Sequence, residues 1–141
     1  MKEDYTDIIQ QVSQVVFEAI KDREENLSEE VKELDGELVK LLRLVGREVM
    51  SMCLNDLAEQ VTTQTKKTGV VVHRREKVKY SVIFGIVEVN SPYLWHKQQG
   101  WGIRPVVEKL GIKPGDRSIA VKRAKFGFWS RRIFWASGQT F

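Results

Sequence analysis

One cysteine, Cys53, occurs in this chain of 141 residues, and a single thiol excludes an internal disulfide. It sits within an apolar helical pattern and reads as a small core residue. Two histidines, His73 and His96, are too far apart in the sequence for any zinc spacing. No apolar run approaches the roughly 18 residues of a membrane span. The opening MKEDYTD is acidic and lacks the apolar stretch of a secretory signal. A cytoplasmic protein without a membrane partner is therefore expected. Neither a glycine-rich phosphate loop nor a nucleophile elbow is present. Carboxylates run out along the chain: after Glu88 only Glu108 and Asp116 remain. Metal-dependent phosphoryl chemistry needs several carboxylates converging on divalent ions. The expectation is no catalytic residue, no metal, no cofactor and no enzyme activity.

What is present belongs to a folded chain, with 42% hydrophobic and 30% charged residues. The net charge of +4 conceals a segregation. Residues 1–35 carry 4 basic and 11 acidic side chains, and residues 36–141 carry 19 basic and 8 acidic. A basic portion set apart in this way suits a polyanion such as nucleic acid.

Two helices open the chain. Ile8, Ile9, Val12, Val15, Val16, Ala19 and Ile20 form one stripe at helical spacing, which predicts a helix over residues 4–25. A second helix begins near Asn26 or Ser28, either of which can cap it, with Glu29 and Glu30 at the positive end of the helix dipole. Val31, Leu34, Leu38, Leu41, Leu42, Val45, Val49, Cys53, Leu57 and Val61 then recur at threes and fours, to about residue 64. Such a helix is roughly 55 Å long at 1.5 Å per residue. Its stripe calls for a partner: the first helix in an antiparallel hairpin, a second copy in a coiled-coil dimer, or both. Gly36 and Gly46 weaken it by about 1 kcal/mol each relative to alanine.

The pattern changes at TQTKKTG. VVVHRR and VKYSVIFGIVEVN are rich in β-branched and aromatic residues and predict a small antiparallel sheet of two or three strands. Val78, Tyr80, Val82 and Phe84 share one side, and Gly85 permits the turn. Asn90-Ser91-Pro92 ends the pairing, because proline has no N–H for the ladder. LWHKQQGWGIRP reads as a loop, VVEKLGI as a short helical turn, and KPGDRSIAVKRA as a turn followed by a helix capped by Asp116 or Ser118. The fold class is α+β, divided into a helical arm (1–66), a β-hairpin module (67–113), a short helix (114–126) and a tail (127–141).

Arg74, Arg75, Lys77 and Lys79 flank the first strands, beside His73. Lys97 and Arg104 follow the hairpin among Tyr93, Trp95, His96 and Trp101. Lys122 and Arg123 sit on the last predicted helix with Arg117 and Lys125. Lysine and arginine at such positions neutralise phosphates in a salt-sensitive, sequence-independent way. Nucleic-acid contact is the favoured reading of the eight cations Arg74, Arg75, Lys77, Lys79, Lys97, Arg104, Lys122 and Arg123. For Trp95 and Trp101, packing of a thin sheet is favoured over base stacking.

The string from FGIVEVNSPY (Phe84 to Tyr93) through EKLGI to RSIAVKRA resembles the N-terminal region of bacterial insertion-sequence transposases of a type abundant in cyanobacteria. The resemblance covers roughly residues 1–125. In many relatives a pair of cysteines follows the Pro-Tyr as a zinc knuckle; here LWHKQQ stands there, so zinc binding does not carry over. The family's catalytic carboxylates lie on a downstream RNase H-like domain. The resemblance therefore implies a truncated, catalytically inactive fragment that binds transposon-end DNA, multimerises as a homodimer, or pairs with full-length transposase. The reading of a different class is a helical, coiled-coil interaction or regulatory protein that does not bind DNA.

The tail GFWSRRIFWASGQTF has two tryptophans, three phenylalanines, two arginines and no acid. In the family the last helix runs on into a sequence like LTDFGAEESFGQAAERF. Trp129 and Trp135, each encoded by TGG alone, yield glycine when read one nucleotide later. Residues 128–141 then have a permitted reading of FGAEESFGQAAKRF. The tail is expected to be out of frame, through decay or a programmed frameshift. An RNA-stacking arm and an interfacial membrane anchor explain its composition less well, since it lacks amphipathic periodicity.

Overall fold

Apolar residues at threes and fours produce two helices, α1 (Thr6–Ile20) and α2 (Leu27–Thr65), as the sequence spacing predicts. The computed structural model describes residues 4–21 and 27–123; the tail 127–141, and with it the out-of-frame reading, lies outside them. The chain is α+β and forms two compact units, Met1–Lys40 and Leu41–Phe141. The composition break at residue 66 thus marks the end of a helix, and the second half of α2 packs with the strands.

In the first unit, α1 buries none of its residues, and Ile8, Ile9, Val12 and Val15 are exposed. At its start the Asp4 carboxylate accepts the Thr6 backbone N–H at 2.9 Å and the Thr6 hydroxyl. Those two bonds favour the ionised form and lower the Asp4 pKa.

In the second unit, β2 (Lys77–Val82) and β3 (Gly85–Asn90) form the expected hairpin, with Val78 opposite Val89 and Tyr80 opposite Val87. Alternation places Val78, Val82, Val87 and Val89 inside and Lys77, Lys79, Ile86 and Glu88 outside. Ile83 and Phe84 make the two-residue turn, and Gly85 supplies φ +129°, a conformation side chains other than glycine rarely adopt. The Phe84 ring lies on α2 at Gly46, where a Cβ would fall 2.7 Å from it. The loss of helix propensity at Gly46 is thus offset by a seat for the hairpin tip. Further along, Asn55 grips β3: its amide donates to the Glu88 carbonyl at 3.1 Å and its side-chain oxygen accepts the Asn90 N–H at 2.8 Å.

The other sheet has the order β1-β4-β5, all antiparallel: β1 (Val70–Arg74), β4 (Tyr93–His96) and β5 (Gly102–Ile103). Two small sheets therefore stand where one was expected, and YLWH, whose LWH was read as loop, is the central strand of the second. Its partner β1 lies well upstream, a non-local pairing that no local pattern announces. Then α3 (Pro105–Leu110) starts on a proline and ends on Gly111 in the left-handed conformation. The chain returns along the free edge of β2: the Gly115 N–H donates to the Lys79 carbonyl, the Ser81 N–H to the Asp116 carbonyl and the Ser118 N–H to the Ser81 carbonyl. The Ser118 hydroxyl accepts the Val121 N–H at 3.1 Å and caps the helical residues 119–123.

The core joins Ala58 and Val61 of α2 to Val78, Val82, Val87, Val89, Val106 and Ile112, with Met50 and Leu54 at its margin. Each fully buried side chain of this size contributes about 1.5–3 kcal/mol. The face of α2 that covers the strands is therefore Met50, Leu54, Ala58, Val61 and Thr65. The stripe expected from the sequence is one residue out of phase with it at Val49, Cys53 and Leu57 and meets it at Val61. Cys53, read as a core residue, is exposed, and Val49 and Leu57 beside it are exposed too.

Candidate nucleic-acid interface

Lys77 and Lys79 stand on the outer face of the hairpin because strand alternation turns Val78 inward between them. Both are exposed. Arg75 precedes them and, with Lys77, borders a groove of about 870 Å³ between α2 and the strands. Asp56, Glu59 and Glu76 also line this groove, against Lys66, Arg75 and Lys77. Glu76 is paired with Arg104, so two acids, Asp56 and Glu59, stand against three bases in the groove.

The eight predicted cations divide into free and engaged sets. Arg104 is engaged: its Nε–H donates to the Glu76 carboxylate at 2.8 Å, and its guanidinium lies 4.6 Å from the Tyr93 ring centroid. The Arg104 hydrogen bond holds the Glu76 carboxyl below the ordinary glutamate range, and the same bond raises Arg104. Arg104 therefore ties the start of α3 to the β1–β2 connection. Lys122 is 3.4 Å from Asp116, whose carboxyl is lowered chiefly by the Arg117 backbone N–H. Arg74 lies 5.3 Å from the Tyr93 centroid. Arg75, Lys77, Lys79, Lys97 and Arg123 are exposed and make no ion pair among the described residues.

A second arrangement emerges on the β1-β4-β5 sheet. Val70, Leu94 and His96 face inward and are buried, so Val71, Tyr93 and Trp95 face outward. Alternation puts His73 on the outer side with Val71, and the bulge between Val72 and Arg74 brings Arg74 there too, opposite Tyr93. The His73 ring meets Tyr93 edge-on at 5.7 Å and lies 6.4 Å from Trp95. Across from Trp95 stands Gly102, and Tyr93 leans over it into the space a side chain would fill. Trp95 is thus a half-buried residue of an open sheet face, not part of the buried core.

His96 organises the turn after β4. Its Nδ1 accepts the Gln98 N–H at 3.3 Å and the Gln99 N–H at 3.1 Å, so that nitrogen carries no proton. The exposed Trp101 ring lies 5.2 Å from the imidazole, and its Nε1–H donates to the Gln99 side chain at 2.8 Å. Among the described residues no group of three or more His, Cys, Asp or Glu side chains converges to hold a metal ion. None of the described helices is long and apolar enough to cross a membrane.

Asn55, Glu76 and the outward pairing of Tyr93 with Trp95 escaped the sequence reading. Alternation in YLWH is the one signal that could have exposed the last of these. No known protein family, curated protein or solved structure matches the chain.

Proposed function

We propose that this chain is the DNA-binding and multimerisation segment of an insertion-sequence transposase and has no strand-cutting activity of its own. The observation that carries the proposal is the motif string from FGIVEVNSPY to RSIAVKRA, of which Val87, Val89 and Ile112 enter one core, with Arg75, Lys77 and Lys79 exposed. Exposed cations of this kind bind phosphates without reading sequence, so affinity falls steeply with salt. Cutting is assigned to a partner, because the acids on these residues pair with cations or stand apart. Bound to element ends, or paired with intact transposase, such a segment inhibits transposition.

The test is a gel shift of the purified chain with duplex DNA from the flanks of its coding sequence, together with co-purification with intact transposase. Absence of a shift at low salt, and of co-purification, removes the proposal.

A second reading is favoured by α2. Leu42, Val45, Val49 and Met52 are exposed along the side of the helix turned away from the strands. An apolar stripe of this length suits helix–helix association. Salt-insensitive self-association without a DNA shift would make the chain an interaction protein to which DNA is irrelevant.

A further inference from the structure

We infer that the open face of the β1-β4-β5 sheet is a stacking platform for unpaired DNA bases. The inference rests on the nucleic-acid reading above and adds to it the strand state of the ligand. Three rings, His73, Tyr93 and Trp95, share this face, and contacts of 5.7 and 6.4 Å from His73 to the other two link them into one cluster. Burying aromatic rings is the main return on placing them in a small domain. Here Trp95 and Tyr93 are left half-buried on a single-layer sheet whose neighbouring position is the exposed Gly102. The space over Gly102, opposite Trp95, is taken by the Tyr93 ring.

The surroundings select an anion-bearing ligand. Arg74 and Arg104 both lie against the Tyr93 ring, at 5.3 and 4.6 Å. Lys97 follows Trp95 by two residues and is exposed. Glu76 neutralises Arg104, so Arg74 and Lys97 are the cations left here for a phosphate. Both guanidiniums lie over Tyr93, so the rings left to a base are Trp95 and His73, with positive charge beside them, the combination that binds single-stranded nucleic acid: bases stack on rings while cations meet the backbone. A base pair inside a duplex has its faces covered by its neighbours, so duplex DNA meets only the cations. The commitment is to single-stranded DNA, the form that an element end presents once it is frayed.

The test uses the full chain and two fluorescent ligands of equal charge, each of about 12 units: oligothymidylate and an abasic deoxyribose-phosphate strand. Fluorescence anisotropy at one salt concentration should show oligothymidylate binding at least about fivefold tighter, the smallest contribution of one stacked base. Trp95→Leu, which retains apolar bulk, should erase the difference, and Trp95→Phe should retain it. The comparison on the unmodified chain needs no variant, so misfolding of Trp95→Leu leaves the inference testable. Equal affinity for the two strands, with duplex DNA still bound, overturns the platform and leaves the proposed function standing. Failure to bind either strand or duplex removes both. Tighter binding of oligouridylate than of oligothymidylate overturns DNA as the occupant.

Discussion

Replacing Lys77 and Lys79 together by glutamine tests the DNA-binding proposal most directly, because these two cations are exposed, unpaired among the described residues and on one strand face. Two residues of strand separate them by about 7 Å, within the Debye length of about 8 Å at physiological salt, so they act on one stretch of phosphate backbone. Each phosphate contact contributes a slope of about −0.9 to log K against log salt. Arg75, Lys77, Lys79, Lys97 and Arg123 are the unengaged cations; if all five contact duplex DNA, the slope is about −4.5. Raising salt from about 50 to about 200 mM then weakens binding by roughly 500-fold. Lys77→Gln/Lys79→Gln should lower the slope to about −2.7 and the loss to roughly 40-fold. Fluorescence anisotropy with duplex DNA across that salt series measures both. Arg104→Gln is the control: Arg104 is held by Glu76, so its removal should shift thermal stability more than the salt slope. An unchanged slope in the double variant, or an equal fall for Arg104→Gln, would refute the division into free and engaged cations.

Three further outcomes follow from the geometry. Asn55→Ala removes two hydrogen bonds between α2 and β3 and should cost about 1–3 kcal/mol, read as a lower urea midpoint with unchanged m; a loss below about 0.3 kcal/mol would show that water replaces the grip without penalty. Glu76 is held below its ordinary pKa, so its pair with Arg104 adds stability above the unfolded-state value, and that contribution is lost as pH falls through the folded-state value. Urea midpoints across the acidic range should therefore fall less steeply in Glu76→Gln than in the unmodified chain, and parallel curves would deny the pair any part in stability. Sequencing the DNA beyond the codon for Phe141 should reveal, in the neighbouring frame, a carboxylate-bearing transposase domain; an ordinary intergenic stretch there would end the out-of-frame account of residues 127–141.

Local chemistry carried much of the fold. Apolar spacing announced α1 and α2, β-branched alternation announced the β2–β3 hairpin with Gly85 at its turn, and the EKLGI and GDRS segments announced α3 and a cap at Asp116 or Ser118, of which the structure takes Ser118. These features are decided within a few residues along the chain, by hydrogen bonding and side-chain shape. The candidate site was legible only as a census of cations.

Tertiary structure decided the rest. Two overlapping apolar stripes run down α2, Val45-Val49-Cys53-Leu57 and Met50-Leu54-Ala58-Val61, and only the strands packed beneath it select the second. YLWH became a strand because β1 lies beside it, which in turn set Tyr93 and Trp95 outward with His73. Glu76 and Arg104, far apart in the sequence, became an ion pair by the same means, removing one cation from the unengaged set. Sequence spacing fixes which residues share a face of a helix or strand; which face is covered depends on partners brought from elsewhere in the chain.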